Sequence, residues 1–148
     1  MRPERTLVLL KPDCVDRGLV GEAISRIERK GLRIVAMRMI VLDRATAEKH
    51  YAAHKDKPFF EGVVQYITAG PIMALAVEGP RAIEVLRRLC GSTDGAEAAA
   101  GTIRGDFSLS VAFNLIHASD SAQSASRELD LFFEPGDFLS LPPVKWQA

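Results

Sequence analysis

The order of short apolar runs along the chain constrains its fold more than any other feature. Three runs have the length and composition of strands: "TLVLLK" (6–11), "LRIVAMRMIVL" (32–42) and "PIMALAV" (71–77). A possible fourth strand lies within "SLSVAFNLIH" (108–117). Pro12 and Asp13 end the first run, so the sequence predicts Lys11 at the end of a buried strand.

Helical spacing of apolar residues predicts helices between these strands. The predicted helices cover residues 19–31, 44–54, 58–70, 79–91 and about 121–132. Asp43 is suited to cap the second helix, and Gly31 to end the first. The second and third helices follow each other directly and form a helical hairpin.

Without the hairpin, the order is strand, helix, strand, strand, helix, strand, which is the ferredoxin-like βαββαβ order. The sequence therefore predicts an α+β fold, with an antiparallel four-stranded sheet and helices on one face. The hairpin is an insertion into this fold, and an extended C-terminal tail follows from Glu134 to Ala148. We expect residues 1–148 to form a single domain.

Composition excludes several classes of function. Basic and acidic residues number 19 each, so no overall field attracts nucleic acid, and any bound anion must be held by local groups. The runs at 6–11 and 71–77 lack the aromatic residues that stack bases on RNA-binding sheets of this order, which argues against a dedicated nucleic-acid site. The apolar runs are too short to span a bilayer, and two isolated cysteines suit a reducing compartment, so a cytoplasmic location is expected.

Two of the three histidines stand four residues apart, as metal ligands on a helix can. His50 and His54 are the first and last residues of "HYAAH". This stretch lacks the glutamate of an HExxH site, and no third ligand is evident. Surface or packed histidines remain the alternative to a metal site there.

The third histidine, His117, lies in "NLIHASD". The small side chain of Ala118 leaves its imidazole accessible, and Ser119 and Asp120 suit a helix N-terminus, which favours nearby negative charge. Glu128, two turns along the following helix, is placed to orient the ring. An exposed, oriented, neutral imidazole is a nucleophile, whereas a histidine that only packs is the alternative.

Six stretches, in this order, resemble sequences of the nucleoside diphosphate kinases. They are "ERTLVLLKPD", "RGLVGE", "HYAAHKDKPFF", "GPIMALAVEG", "GTIRGDF" and "NLIHASD". The resemblance implies a ping-pong phosphoryl transfer. The histidine takes the terminal phosphate of a nucleoside triphosphate, and a nucleoside diphosphate then accepts it.

The resemblance also implies which residues act. His117 would be the nucleophile, Arg87 and Arg104 would bind phosphate with Thr93 as hydroxyl donor, and Phe59 and Val63 would clamp the base. Lys11 and Asn114 would hold the ribose hydroxyl and a phosphate oxygen, and Tyr51 would lie beside the histidine. The implied catalytic set is His117, Lys11, Tyr51, Asn114, Ser119 and Glu128, and the implied nucleotide-binding set is Lys11, Phe59, Val63, Arg87, Thr93, Arg104 and Asn114.

The family further implies broad base specificity, with ATP, GTP and other nucleoside di- and triphosphates as substrates, and a homo-oligomer that is a tetramer or a hexamer. Mg²⁺ would arrive with the nucleotide phosphates, while Asp120 would assist through water or by ordering the region of Arg104. Cys14 replaces the usual glycine after "KPD", which predicts a more constrained turn. A phosphohistidine relay module is the alternative, although it would not need the nucleotide-binding set.

Overall fold

The computed structural model describes residues 3–142 of the chain. Its strands and α-helices are β1 (Glu4–Leu10), α1 (Pro12–Asp16), α2 (Val20–Lys30), β2 (Arg33–Val41), α3 (Arg44–His50), α4 (Phe60–Ile67), β3 (Pro71–Gly79), α5 (Ala82–Cys90), α6 (Ile103–Phe107), β4 (Ile116–Ala118) and α7 (Ala122–Phe132). Short 3-10 helices cover Ala52–His54 and Pro135–Asp137. Within residues 3–142, every helix is too short or too polar to cross a lipid bilayer.

The four strands form one sheet in the order β2-β3-β1-β4, and every neighbouring pair is antiparallel. This is the predicted ferredoxin-like order, so the predicted fold class is confirmed. β1 is central and pairs with both β3 and β4. In its register with β4, Leu9 lies opposite His117.

Helices cover both faces of the sheet, so the prediction of helices on one face is wrong. Leu7 and Leu9 of β1 face α3, α4 and α7, whereas Val8 and Leu10 face α2 and α5. All four side chains are completely buried. Consecutive rather than alternating apolar residues in β1 are the signal for burial on both faces. The hairpin therefore supplies two of the three helices of the second layer.

The fourth strand is shorter than the predicted run, because much of that run is a loop stabilised by serine hydroxyls. Ser108 Oγ donates to the carbonyl of Phe113 at 2.8 Å, and Ser110 Oγ accepts from the Phe113 N–H at 3.1 Å. Such side-chain bonds to backbone compete with strand pairing. Only residues 116–118 pair with β1.

The turn after β1 is a short helix rather than a strained loop. Cys14 lies within α1 and is buried. Helical backbone suits any L-residue, so the expected constraint from cysteine in place of glycine does not arise. Left-handed backbone is needed instead at Gly31, which has φ 104° and ends α2 as predicted.

The hairpin and the final helix follow their capping signals. Asp43 accepts from the Thr46 N–H at 2.7 Å at the start of α3, and the predicted helix 44–54 changes to a 3-10 turn after Tyr51. Ser121 caps α7 by accepting from the Ser124 N–H at 3.1 Å. The helix thus begins where the predicted range of about 121–132 placed it, and Ser119 and Asp120 lie just before its cap.

The start of the predicted C-terminal tail packs against the domain. The Leu139 N–H donates to the carbonyl of Val35 at 2.9 Å, and the ring of Phe138 lies 5.6 Å from that of Phe133. The rest of the predicted tail, from residue 143 to residue 148, lies outside the described residues.

Candidate active site

His117 is held by a buried carboxylate. Its Nε2 lies 2.7 Å from Glu128 Oε1, and the Ser119 hydroxyl donates to the same oxygen at 2.8 Å. β4 positions His117, Ser119 follows directly after the strand, and α7 brings Glu128 back over them. Glu128 is 4% exposed. The contact expected between the glutamate and the histidine is therefore present.

These contacts determine which ring nitrogen carries the proton. Burial alone would raise the pKa of Glu128, but the hydrogen bonds from His117 and Ser119 outweigh it and lower that pKa. The carboxylate is thus ionised at neutral pH and can only accept hydrogen bonds. Nε2 of a neutral His117 must then be the donor, which leaves the lone pair on Nδ1.

A chain of polar contacts links Lys11 to the loop before α6. Lys11 Nζ donates to Asn114 Oδ1 at 2.8 Å, and Asn114 Nδ2 donates to the carbonyl of Thr93 at 3.0 Å. Burial, followed by the nearby charge of Arg104, lowers the pKa of Lys11 to about 8. Burial removes water from around the Lys11 ammonium group, so its positive charge is poorly solvated. A bound phosphate group would stabilise that charge.

The two arginines differ in how they are held. Arg104 is 6% exposed and donates to three backbone carbonyls: Asn114 from Nε at 3.2 Å, Gly91 from Nη1 at 2.9 Å and Ile116 from Nη2 at 2.6 Å. A guanidinium has five N–H groups, so two remain for an anion. Arg87 is exposed and donates to the carbonyl of Ala118 at 3.2 Å, beside His117.

A strained turn joins Asn114 to β4. Leu115 has a left-handed backbone with φ 72°, which is unusual for a branched side chain. Its N–H donates to Asp13 Oδ2 at 3.2 Å, and its carbonyl accepts from the Lys11 N–H at 2.8 Å. The Tyr66 hydroxyl donates to the other oxygen of Asp13. These contacts hold Asn114 and His117 on either side of the strained residue.

Sequence reasoning missed this turn and its supports. Asp13 follows the "KP" pair after β1, and Tyr66 is a half-buried residue of α4 in the hairpin. Nothing in their spacing indicates that they meet. A left-handed leucine has no sequence signature either, because glycine or asparagine is the usual residue there.

His50 is also part of the site, but not as the sequence suggested. It is buried, and its ring lies edge-on to that of His117 with centroids 4.7 Å apart. Burial, followed by the neighbouring His117, lowers the pKa of His50 to about 3. His54 is exposed and lies near Phe59 instead, so the pair His50 and His54 does not form a metal site.

Tyr51 lies at the edge of the same cluster. Its ring centroid is 4.7 Å from that of His50. Burial, followed by the charge of Glu128, raises the pKa of its hydroxyl to about 12. Tyr51 therefore remains neutral at physiological pH.

The remaining predicted residues lie at the rim. The sequence predicted Phe59 inside a helix, but the residue lies just before α4. Phe59 is 51% exposed, and Val63, one turn later, is half-buried. Thr93 is exposed in the loop after α5. Asp120 is exposed, and the hydroxyl of Ser124, then that of Ser121, lowers its pKa. Arg87 and Asp120 line the same surface cleft.

Comparison with known proteins identifies relatives of this chain. A family model described as nucleoside diphosphate kinase matches residues 4–138. A protein of Ignicoccus hospitalis named nucleoside diphosphate kinase is 58% identical over 136 residues, covering 92% of each chain. One of that name from Archaeoglobus fulgidus is 59% identical over 137 residues, covering 93% of this chain and 91% of the relative.

Solved structures are similar in fold as well. A halophilic nucleoside diphosphate kinase of Halobacterium salinarum in complex with CDP superposes with a TM-score of 0.93 and 44% identity, covering 95% of this chain and 93% of that one. A transition state mimic of the nucleoside diphosphate kinase of Borrelia burgdorferi, with bound vanadate and ADP, has a TM-score of 0.90 and 37% identity. The match covers 96% of this chain and 94% of that one. Both identities are well above the level at which only the fold is shared.

Proposed function

This chain belongs to the nucleoside diphosphate kinase family, and on that premise we propose that His117 carries the phosphate between nucleotides. The observation that supports this role is the contact between His117 Nε2 and Glu128, which leaves Nδ1 as the nitrogen with a lone pair. A fixed neutral imidazole is a competent nucleophile. The proposed roles of the other site residues follow from their positions around it.

In the first half-reaction, the Nδ1 lone pair attacks the terminal phosphorus of a nucleoside triphosphate. An N–P bond forms, the P–O bond to the bridging oxygen breaks, and the nucleoside diphosphate leaves with that electron pair. The carboxylate of Glu128 accepts from Nε2–H and so stabilises the positive charge that develops on the ring. The Ser119 hydroxyl donates a hydrogen bond to the same carboxylate.

In the second half-reaction, the terminal oxygen of another diphosphate attacks the phosphohistidine, and the N–P bond breaks. The ring returns to its starting tautomer because Nε2 kept its proton throughout. Each transfer exchanges one high-energy bond for another, so the phosphate can pass in either direction between nucleotides. This is the ping-pong scheme expected for the family.

The cations of the site are proposed to bind the phosphates. Phosphoryl transfer depends on positioning and on neutralising charge on the phosphate oxygens. Lys11 and the two unused N–H groups of Arg104 form the buried part, and Arg87 forms the exposed outer part. Asn114 orients Lys11 directly, and Thr93 offers its exposed hydroxyl at the mouth.

The exposed ring of Phe59 and the neighbouring Val63 are proposed to hold the base. Stacking on an aromatic face does not depend on the donor pattern of the base, so nucleoside di- and triphosphates of several bases, ATP and GTP among them, are expected as substrates. The relatives from Halobacterium salinarum and Borrelia burgdorferi were solved with CDP and ADP respectively, which supports this expectation.

Mg²⁺ is proposed to bind through the nucleotide phosphates. Within residues 3–142 the site presents the cations Lys11, Arg87 and Arg104, and the exposed carboxylates nearby, Asp120 among them, do not come together as an oxygen cage. That donor set fits an ion held mainly by phosphate oxygens and water. When bound, Mg²⁺ neutralises phosphate charge, and Asp120 would hold one of its waters.

A homo-oligomer, tetramer or hexamer, is proposed from the sheet edge. β2 is an outer strand, and Met37, Met39 and Val41 along one of its faces are 55%, 56% and 66% exposed. An apolar edge strand is self-complementary across a twofold axis. Light scattering on a Met39→Glu variant should give a smaller assembly than wild type, and an unchanged mass would refute this interface.

A cytoplasmic location and a single domain remain predictions.

The phosphotransfer proposal is tested by labelling. The purified protein is incubated with ATP labelled on its terminal phosphate, and the expected product is an acid-labile, alkali-stable phosphoprotein that several unlabelled nucleoside diphosphates discharge. His117→Ala should take no label, whereas His54→Ala should be labelled normally. Label on the His117→Ala variant would refute the mechanism, and transfer of the label only to another protein would favour the relay module.

A further inference from the structure

His50 is a buried histidine that phosphoryl transfer does not use. It is 5% exposed, and its Nδ1 has no hydrogen-bond partner within residues 3–142. The rings of Tyr51, His117 and Phe132 surround it, with centroids 4.7 Å, 4.7 Å and 5.5 Å away. A buried polar atom without a partner costs about 1–3 kcal/mol, so its retention calls for an explanation.

Its neighbours are potential metal ligands. His50, His117 and Glu128 each offer one ligand atom, and these atoms all lie within 4.8 Å of one another. In the described part of the chain, no other group of three such residues comes together this closely. Two imidazoles and one carboxylate are a donor set typical of zinc enzymes, whereas Mg²⁺ prefers oxygen ligands alone.

We propose that His50, His117 and Glu128 form a binding site for a divalent transition-metal ion of the zinc type, separate from the magnesium carried by the nucleotide. Tetrahedral coordination at about 2.1 Å places ligand atoms about 3.4 Å apart, so small side-chain movements close the site. The side chain of His117 is 24% exposed, which leaves a path from the cleft and a fourth position for water.

The ion and the phosphate would compete for His117, and this consequence rests on the proposed function. Coordination through Nδ1 occupies the nucleophilic lone pair. Coordination through Nε2 displaces the bond to Glu128 that fixes the tautomer. In either arrangement, a bound ion blocks labelling of His117, and a phosphorylated His117 binds the ion more weakly.

The site is tested by direct metal binding to the full chain without nucleotide. Zn²⁺ binding is measured by competition with a chromogenic chelator, with one ion per chain expected for wild type. His50→Asn should weaken binding at least about 100-fold, because removing even a residue that supports a ligand costs 10–100-fold. His54→Asn is the matched control, since His54 is exposed and outside the group, and it should bind as wild type does.

Two further measurements show whether the variant is folded and whether the wild-type site has the expected coordination. Circular dichroism of His50→Asn should match wild type, and Co²⁺ bound to the wild-type protein should give the intense visible bands of a four-coordinate ion. Unchanged Zn²⁺ affinity in a folded His50→Asn, or a weak six-coordinate Co²⁺ spectrum, would overturn the proposal. Metal binding as expected in a protein that takes no phosphate label even when free of the transition metal would leave this site intact and refute the phosphotransfer proposal instead.

Discussion

The two ends of the proposed nucleotide site are held differently. At the histidine end, Glu128 is 4% exposed and receives two hydrogen bonds, so the geometry is set before substrate arrives. At the rim, Phe59 is 51% exposed and Thr93 and Arg87 are exposed too. Preorganised contacts accelerate a chemical step, whereas exposed ones mainly add binding energy. In the proposed site, the residues assigned to chemistry are therefore fixed in place, and those assigned to nucleotide recognition are exposed.

The largest expected effect is at Glu128. Glu128→Ala leaves His117 Nε2 and Ser119 without their acceptor, and we expect the rate of phosphorylation in a single turnover to fall by about 100-fold. Glu128→Gln keeps an acceptor oxygen and should lose less. Glu134→Ala, an exposed acid, is the control. A Glu128→Ala variant as fast as wild type would remove the basis for a preorganised histidine.

The second prediction concerns the pH dependence set by Lys11. Its pKa of about 8 lies below the usual 10.5, so Lys11 loses its charge as the pH rises through 8. We expect kcat/KM, which reports the free enzyme, to fall above pH 8, by about tenfold per pH unit at most. Lys11→Arg keeps its charge throughout this range, so the decline should disappear from its profile whatever its absolute rate.

The third prediction concerns the rim. Phe59→Ala removes a stacking surface, so we expect KM to rise by about fivefold or more for every base, with kcat nearly unchanged. Phe59→Trp should retain a low KM. Because the side chain is exposed, the free energy of unfolding should change by no more than about 0.5 kcal/mol. A fall in kcat at constant KM would mean that the rim takes part in the chemistry.

The smallest expected effect is at Tyr66, which joins the hairpin to the strained turn through Asp13. Tyr66→Phe removes that hydrogen bond, and we expect the free energy of unfolding to fall by about 1 kcal/mol, with Tm lower by about 3 °C. Gln65→Ala on the same helix is the control. An unchanged Tm would show that Asp13 holds Leu115 without support from the hairpin.

Much of the fold could be predicted because its signals are local. Gly31, Asp43 and the apolar run of β1 each act through neighbours in sequence, and each has its expected place. The second helical layer was missed because helices on one face were inferred from the ferredoxin-like order of elements, whereas the run of consecutive apolar residues in β1 indicates burial on both faces. The helix α6, five residues long, was missed too, although Thr102 caps it by accepting from the Gly105 N–H at 3.0 Å.

The site was predicted less completely for a physical reason. Residue types such as His117 and Arg104 are recognisable in a motif, but their partners are set by packing. Arg104 donates to three backbone carbonyls, and a carbonyl has no sequence signature. His50 similarly gains its place beside His117 only when α3 packs against α7. The catalytic and binding roles themselves stay predictions until the variants are measured.

The pairing of β1 with β4 has a consequence for synthesis on the ribosome. Leu9 pairs with His117, so the strand made first cannot complete its hydrogen bonds until the last strand has emerged. Contacts this distant in sequence form late and slow the folding of a chain. A nascent chain stopped before α7 would hold Lys11 but neither Glu128 nor an oriented histidine, so translation that halts early should release inert fragments.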